Sequence, residues 1–400
     1  MSEGTQSTMS KHPQAPVRDG GPAGVAVSPT VSGRAAVETS TLITGADGWR
    51  RSPSRFGSWR PYKEWQHFLL HADERHGLRT GSGELELIVN FNLIDDVWSR
   101  RAGVETARLI LLAKTSPGGG GGSGLEPRWT GVTRRFPENQ VAVRSGGIDA
   151  DFGANRLRWN GTAYEVEVDL PEEGIEAHLE FCPEVVPGLA INQPLAPDVR
   201  LSWFFVPRLL VSGSVRIGKR YYELERALAY HDHNWAVFRW GDDFTWEWAS
   251  ILPSHPSSPW SFVLMRLTDR ARTVVRSQAL FVWHRERRVR TFRDREIEVS
   301  LRGRLPIERP FQTPPVMGLL TTGRVVDVPR AWGLRASEGD DLVEIDFDAQ
   351  DVSQVVMPGE TDLQRVAVLN EVTGPVHAGG RCAGHEVDFS GRGVFEFLRT

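Results

Sequence analysis

The chain has 400 residues, 40% hydrophobic and 24% charged, which is long enough for two domains of ordinary globular composition. Its net charge of −4 and pI of about 6.3 leave no basic footprint for nucleic acid. The two cysteines, Cys182 and Cys382, lie in different halves, which excludes a disulfide framework and a cysteine-based zinc site.

Residues 1–48 are rich in Ser, Thr, Gly, Pro and Ala and poor in large apolar side chains. Such a stretch cannot offset its ordering entropy, so a disordered tail is expected there. It also lacks the apolar core of a secretory signal. No later window reaches the ~18 apolar residues of a membrane-spanning helix. A cytoplasmic protein is expected, with transient membrane-surface contact left open because a very apolar substrate would be collected there.

From Trp65 onward the pattern is almost wholly β. Gly83–Ile94 and Ala107–Ala113 read as strands. Gly118–Gly124 lacks the Gly-Lys-Ser/Thr ending of a phosphate loop and reads as a flexible hairpin connection. Ala163–Leu170 and Ile175–Phe181 alternate apolar and charged residues, as strands do between a barrel interior and water. The second half repeats the scheme loosely, opening with Phe244–Leu252. Its further strands are expected at 260–267, 273–284, 288–292, 297–301, 341–349 and 364–371. The Arg-rich run Arg285–Arg290 reads as a solvated hairpin. Many short strands and little helical periodicity predict an all-β fold of barrels or sandwiches. The break is expected near residues 238–243, giving domains at 49–240 and 241–400.

The densest chemistry lies in Tyr230-His231-Asp232-His233-Asn234-Trp235. On an extended chain His231, His233 and Trp235 share one face, and Asp232 and Asn234 take the other. Imidazole is the side chain best suited to moving protons near neutral pH, and a desolvated Asp232 would serve as an acid. His231-x-His233 also has the form of half a metal site, but no spaced third ligand is visible. A purely structural hydrogen-bonded network is a further reading. Fourteen tryptophans suit both a β core and an aromatic-lined cavity.

This hexapeptide resembles the hallmark of the hydroxyneurosporene synthase family, the carotenoid 1,2-hydratase-like or AttH-like proteins, although Ala236 follows where the family has Gly. Lys63–Phe68, Pro207–Gly213 and Gly391–Glu396 resemble the family's other strands, with Gln66 in place of a Trp. The resemblance spans about residues 50–400 and implies two consecutive lipocalin-like antiparallel barrels. It implies a cofactor-independent, metal-free enzyme of terpenoid or polyene metabolism. Such an enzyme, a hydro-lyase or a cyclase, adds water to or cyclises a long hydrophobic alkene by proton-initiated chemistry. Related double-lipocalin proteins fold a polyene for a Diels–Alder reaction, which needs positioning more than acid–base help. A lipocalin-type carrier of a hydrophobic ligand is the non-catalytic alternative.

The expected catalytic residues are Tyr230, His231, Asp232, His233, Asn234 and Trp235. Trp65, Trp203, Trp240, Trp246, Glu247 and Trp248 are expected to bind substrate. The family's hydratases carry a Tyr and an Asp on the strand after the second Trp pair. Here that strand, Trp260–Leu267, holds no carboxylate, and the next is Asp269.

Overall fold

A computed structural model describes residues 32–50, 62–81, 83–94, 107–116, 128–196, 199–240, 244–307, 310–315, 328–360 and 366–399. The glycine-rich stretch at 118–124, Trp59 and residues 1–31 lie outside them.

The chain forms one helix and two large sheets among the described residues. The helix is α1 (Gly33–Ala46). The first sheet contains β1 (Tyr62–Asp73), β2 (Leu78–Thr80), β3 (Glu84–Ile94), β4 (Ala107–Ser116), β5 (Arg128–Phe136), β6 (Val141–Val143), β7 (Asp149–Phe152), β8 (Asn155–Trp159), β9 (Tyr164–Leu170), β10 (Ile175–Pro183), β11 (Gly188–Ala196), β12 (Val199–Ile217) and β13 (Arg220–Val237). The second contains β14 (Thr245–Pro253), β15 (Trp260–Thr268), β16 (Val275–His284), β17 (Arg287–Arg293), β18 (Ile297–Arg302), β19 (Phe311–Thr313), β20 (Ala331–Glu338), β21 (Asp341–Asp348), β22 (Asp351–Pro358), β23 (Val366–Cys382) and β24 (His385–Arg399). Neighbours pair antiparallel, except for the short parallel contact of β19 with β22. This is the all-β, tandem lipocalin-like architecture.

Strand β13 is central. It pairs with β1 on one side and β12 on the other, and sequence-distant β1 closes the first sheet around it. Gly213 on β12 and Gly391 on β24 each lie tight against a neighbouring strand. A Cβ there would lie 2.0 Å from the carbonyl oxygens of His178 and Leu252, respectively, so each neighbouring strand can approach only because no side chain intervenes.

The apolar strand β15 is buried on both faces. Trp260, Phe262 and Leu264 enter the core of the second unit, whereas Val263, Met265 and Leu267 join the core shared with the first. A strand with no solvent face carries a continuous apolar run. The units are also clasped by buried charge: Lys63 Nζ lies 2.9 Å from Glu360 Oε1, and Arg392 Nε donates to Glu86 Oε1 at 3.0 Å.

The expectation of a disordered tail through residue 48 is corrected by α1. Ala35, Thr39 and Ile43 form a buried stripe at helical spacing. The stripe is narrow and mostly small, so composition alone concealed it. Ser32 bonds Glu286 through its amide and hydroxyl, each at 2.7 Å, and Ser40 Oγ donates to Gly161 O. Directly after the helix, Asp47 enters the first unit's interior. Its Oδ2 accepts from Tyr164 OH at 2.6 Å and contacts His231 Nε2 at 2.9 Å, and its Oδ1 lies 3.2 Å from His233 Nδ1. Glu64 Oε1 takes the other side of His233, 2.8 Å from Nε2. Burial raises the pKa of Asp47, but the two imidazoles outweigh it and hold it at about 2. Burial lowers that of His233, but its two carboxylate partners bring it up to about 9.

Replacing Asp47 with Ala leaves two imidazoles and a phenol buried without their partner. The variant is expected to lose about 3–5 kcal/mol in urea unfolding. The pH dependence follows from the two shifts. The His233 contribution is complete below its unfolded value of 6.5 and is lost as pH rises through about 9. The Asp47 contribution is complete above 3.8 and is lost as pH falls through about 2. Wild-type stability should therefore decline between pH 6.5 and 9, and that decline should shrink in Asp47→Ala.

Candidate active site between the two units

The alternation of β13 sorts the motif into two environments. His231 and His233 face inward to Asp47, as described. Trp235 shares that side, under the Arg50 guanidinium at 4.2 Å. Asp232 and Asn234 face outward, toward the second unit.

There they line a cavity between the units. Strand β1 contributes Trp65 and His67, and β12 contributes Leu201 and Trp203. The second unit supplies Trp246, Glu247 and Trp248 from β14, Met265 and Leu267 from β15, and Glu396 from β24. A second cavity shares Trp65, Trp246 and Glu396 with the first. The stacked Trp65 and Trp246 rings, 6.3 Å apart between centroids, stand between them. The wall of the second cavity includes Asn90, Asn92, Arg108, Thr133 and Arg135, and it also takes in Trp240.

Asp232 is 5% exposed. Tyr230 OH donates to its Oδ2 at 2.8 Å and Asn234 Nδ2 to its Oδ1 at 2.7 Å. Both donors are neutral, so burial dominates and pushes the Asp232 carboxyl up to about 8. Tyr230 opposes the rise, and the nearby Glu396 adds to it. Glu396 accepts from the Trp246 indole N–H, and burial raises it too. Glu371 is its cross-strand partner on β23. Burial and the neighbouring Glu396 raise Glu371 well above the carboxylate range. Three carboxyl groups thus sit in one dry region and favour their protonated forms. Glu247, also in the wall, is paired with two arginines: Arg266 Nη1 lies 2.6 Å from it and Arg272 also contacts it. His67, beside Asp232 across the β1–β13 register, is lowered to about 3 by burial and is neutral at pH 7.

Among the expected residues, Trp65, Trp203, Asp232, Asn234, Trp246, Glu247 and Trp248 therefore meet at one cavity. Tyr230 reaches it through Asp232, and Trp240 belongs to the adjoining one. His231, His233 and Trp235 are not brought there. Sequence reasoning missed Asp47, Glu371 and Glu396. Glu396 carries a readable signal, as a lone carboxylate between Phe395 and Phe397 on a strand. No three His, Cys, Asp or Glu groups among the described residues assemble into a metal-binding cluster.

No family model and no curated protein matches the sequence. Solved structures do. A protein from Nitrosomonas europaea assigned as AttH superposes with a TM-score of 0.53 at 14% identity, over 87% of this chain and 98% of that one. The chain has the AttH-like double-lipocalin fold. Kievitone hydratase from Nectria haematococca matches over 84% of this chain and 89% of its own, at 12% identity and a TM-score of 0.50. CghA with Sch210972 matches over 88% and 94%, at 12% identity and a TM-score of 0.54. At such identities the likeness carries the fold alone.

In a carbon-13 NMR titration of aspartate-labelled protein, Asp232 should change protonation near pH 8. Tyr230→Phe removes a hydrogen bond that favours the anion, so the midpoint should move higher still. A midpoint near 4 in wild type would contradict a dry carboxyl site.

Proposed function

We propose that the protein is a cofactor-independent hydratase or cyclase that begins its reaction by protonating an alkene in the inter-unit cavity. What carries this reading is Asp232, a carboxyl 5% exposed that faces indole rings between the units and that burial pushes up to about 8. A carboxyl with a pKa of about 8 still holds its proton at neutral pH and can deliver it.

The acid proton of Asp232 passes to one alkene carbon and leaves a tertiary carbocation on the other. The faces of Trp203 and Trp248 attract that charge, more strongly because the site is dry. Water then adds to the cation and returns a proton to the Asp232 carboxylate, which restores the acid. Where a second double bond of the same substrate lies closer than water, ring closure replaces hydration, and loss of a proton to that carboxylate ends the cycle. The two cavities meeting at Trp65, Trp246 and Glu396 favour this second outcome, because a chain bent around the indole pair brings its two arms together. The apolar Trp260–Leu267 strand lacks the hydratases' Asp, and Asp232 with Glu396 supplies the missing acidity.

The substrate class best supported is a long terpenoid or polyene with an oxygenated end. The first cavity is largely aromatic and aliphatic. In the second, Asn90 Oδ1 is buried without a hydrogen-bond partner. A bare carotenoid hydrocarbon would leave it so, at a cost of roughly 1–3 kcal/mol, whereas a hydroxyl or carbonyl end would engage the polar wall. Kievitone hydratase, by its name, performs hydration on the same fold.

The test is mass spectrometry of terpenoid and polyene extracts incubated with purified protein. A product heavier by one water indicates hydration, and an isomer of unchanged mass indicates cyclisation. Asp232→Asn and Glu396→Gln should each lower kcat by about 10²–10⁴-fold while the circular dichroism spectrum is retained. Substrate retained without chemical change, or full turnover in both variants, would overturn the catalytic reading.

A further inference from the structure

The interface continues past the proposed site. Along β1 the residues facing the second unit are Trp65, His67, Leu69 and His71, and along β14 they are Trp246, Trp248, Ser250 and Leu252. Halfway along, the rings of His67, Tyr230 and Trp248 close the seam. Trp248 lies 5.0 Å from Tyr230 and 5.6 Å from His67 between centroids. Beyond this aromatic partition lies another chamber, lined by β1, β13, β14 and β24.

Its walls are of two kinds. Leu69, Leu70, Leu228, Leu252, Pro253 and Val394 make it mainly aliphatic. Two polar atoms in the wall lack hydrogen-bond partners: Ser250 Oγ, on a residue 1% exposed, and His71 Nδ1, which lies 3.7 Å from Glu86 Oε1. Buried polar atoms are nearly always satisfied, so a pair of unmet ones beside a cavity marks a place for a partner. The chamber's charges are already committed. Glu86 is held by Arg392, at 3.0 Å from its Nε, and by Lys114, at 3.6 Å. Lys114 also lies 3.7 Å from Asp351, and Asp73 lies 3.2 Å from His76. No uncompensated cation remains to hold an anion, and a carboxylate entering beside Glu86 and Asp73 would be repelled.

We propose that this chamber is a second binding site, taking an uncharged amphiphile whose single hydroxyl or carbonyl meets Ser250 and His71 while its hydrocarbon covers the aliphatic wall. A hydroxyl suits both partners, since it donates to one and accepts from the other. The site is separate from the proposed reaction cavity and does not depend on any reaction occurring there.

The test is calorimetric titration of the full chain with 1-octanol and with octanoate, which have the same hydrocarbon and different charge. Octanol should bind, and octanoate should bind at least tenfold more weakly. Ser250→Val should weaken octanol about fivefold, the worth of one hydrogen bond. Leu252→Trp, which fills this chamber, should abolish binding, whereas Met265→Trp, which fills the reaction cavity, should leave it unchanged. If Leu252→Trp unfolds, Val394→Phe serves the same purpose. No octanol binding, equal binding of octanoate, or loss of binding in Met265→Trp alone would each overturn the proposal. None of these outcomes bears on whether Asp232 protonates a substrate.

Discussion

A carboxyl group taken out of water must either find cations or keep its proton. Both solutions occur within a few ångströms of strand β13, on its opposite faces. Asp47 meets two histidines inside the first unit and stays ionised, held at about 2. Asp232 meets only a phenol, an amide and indoles between the units, and is pushed up to about 8. Because β13 is buried on both sides, its alternation decides which neighbours each polar residue finds. The histidines of the motif contact Asp47 and so fasten the N-terminal segment. The carboxylate between them faces a different space and has different chemistry available.

The second unit makes that space. Alone, the outward face of β1 and β13 would be a solvated sheet surface, and Asp232 would be an ordinary exposed acid. Packing β14, β15 and β24 against it removes water, adds Trp246 and Trp248, and brings Glu396 and Glu371 close enough for carboxyls to raise one another. The clasps Lys63–Glu360 and Arg392–Glu86 hold the sheets in register at the two ends of the seam. Each is a buried pair whose rupture would strand a charge, which makes the interface costly to open.

Much of this was legible from the residues. Alternation in Ala163–Leu170 and the rarity of helical periodicity pointed to tandem barrels. The period of two placed His231 and His233 on one face and Asp232 on the other. The sequence could not say which face met a cavity, because that depends on strands far away in the chain. Helix α1 was hidden because its buried stripe is built from Ala35, Thr39 and Ile43, and composition treats such a segment as solvent-loving. Its burial comes from the barrel it docks on, not from its own hydrophobicity. Glu396 was visible only as part of a closing strand, since its partners Trp246 and Glu371 are contributed by strands that open and precede that closure.

The most direct measurement is diffraction from crystals soaked with a conjugated polyene bearing a terminal hydroxyl. Ligand density between the units, against Asp232, Trp203 and Trp248 and bent toward Trp65 and Trp246, is the expected result, with Asp47 still bonded to His231 and His233. Density inside the first unit, against His231 and Tyr164 with Asp47 displaced, would contradict the division of the motif into an anchoring face and a reacting face.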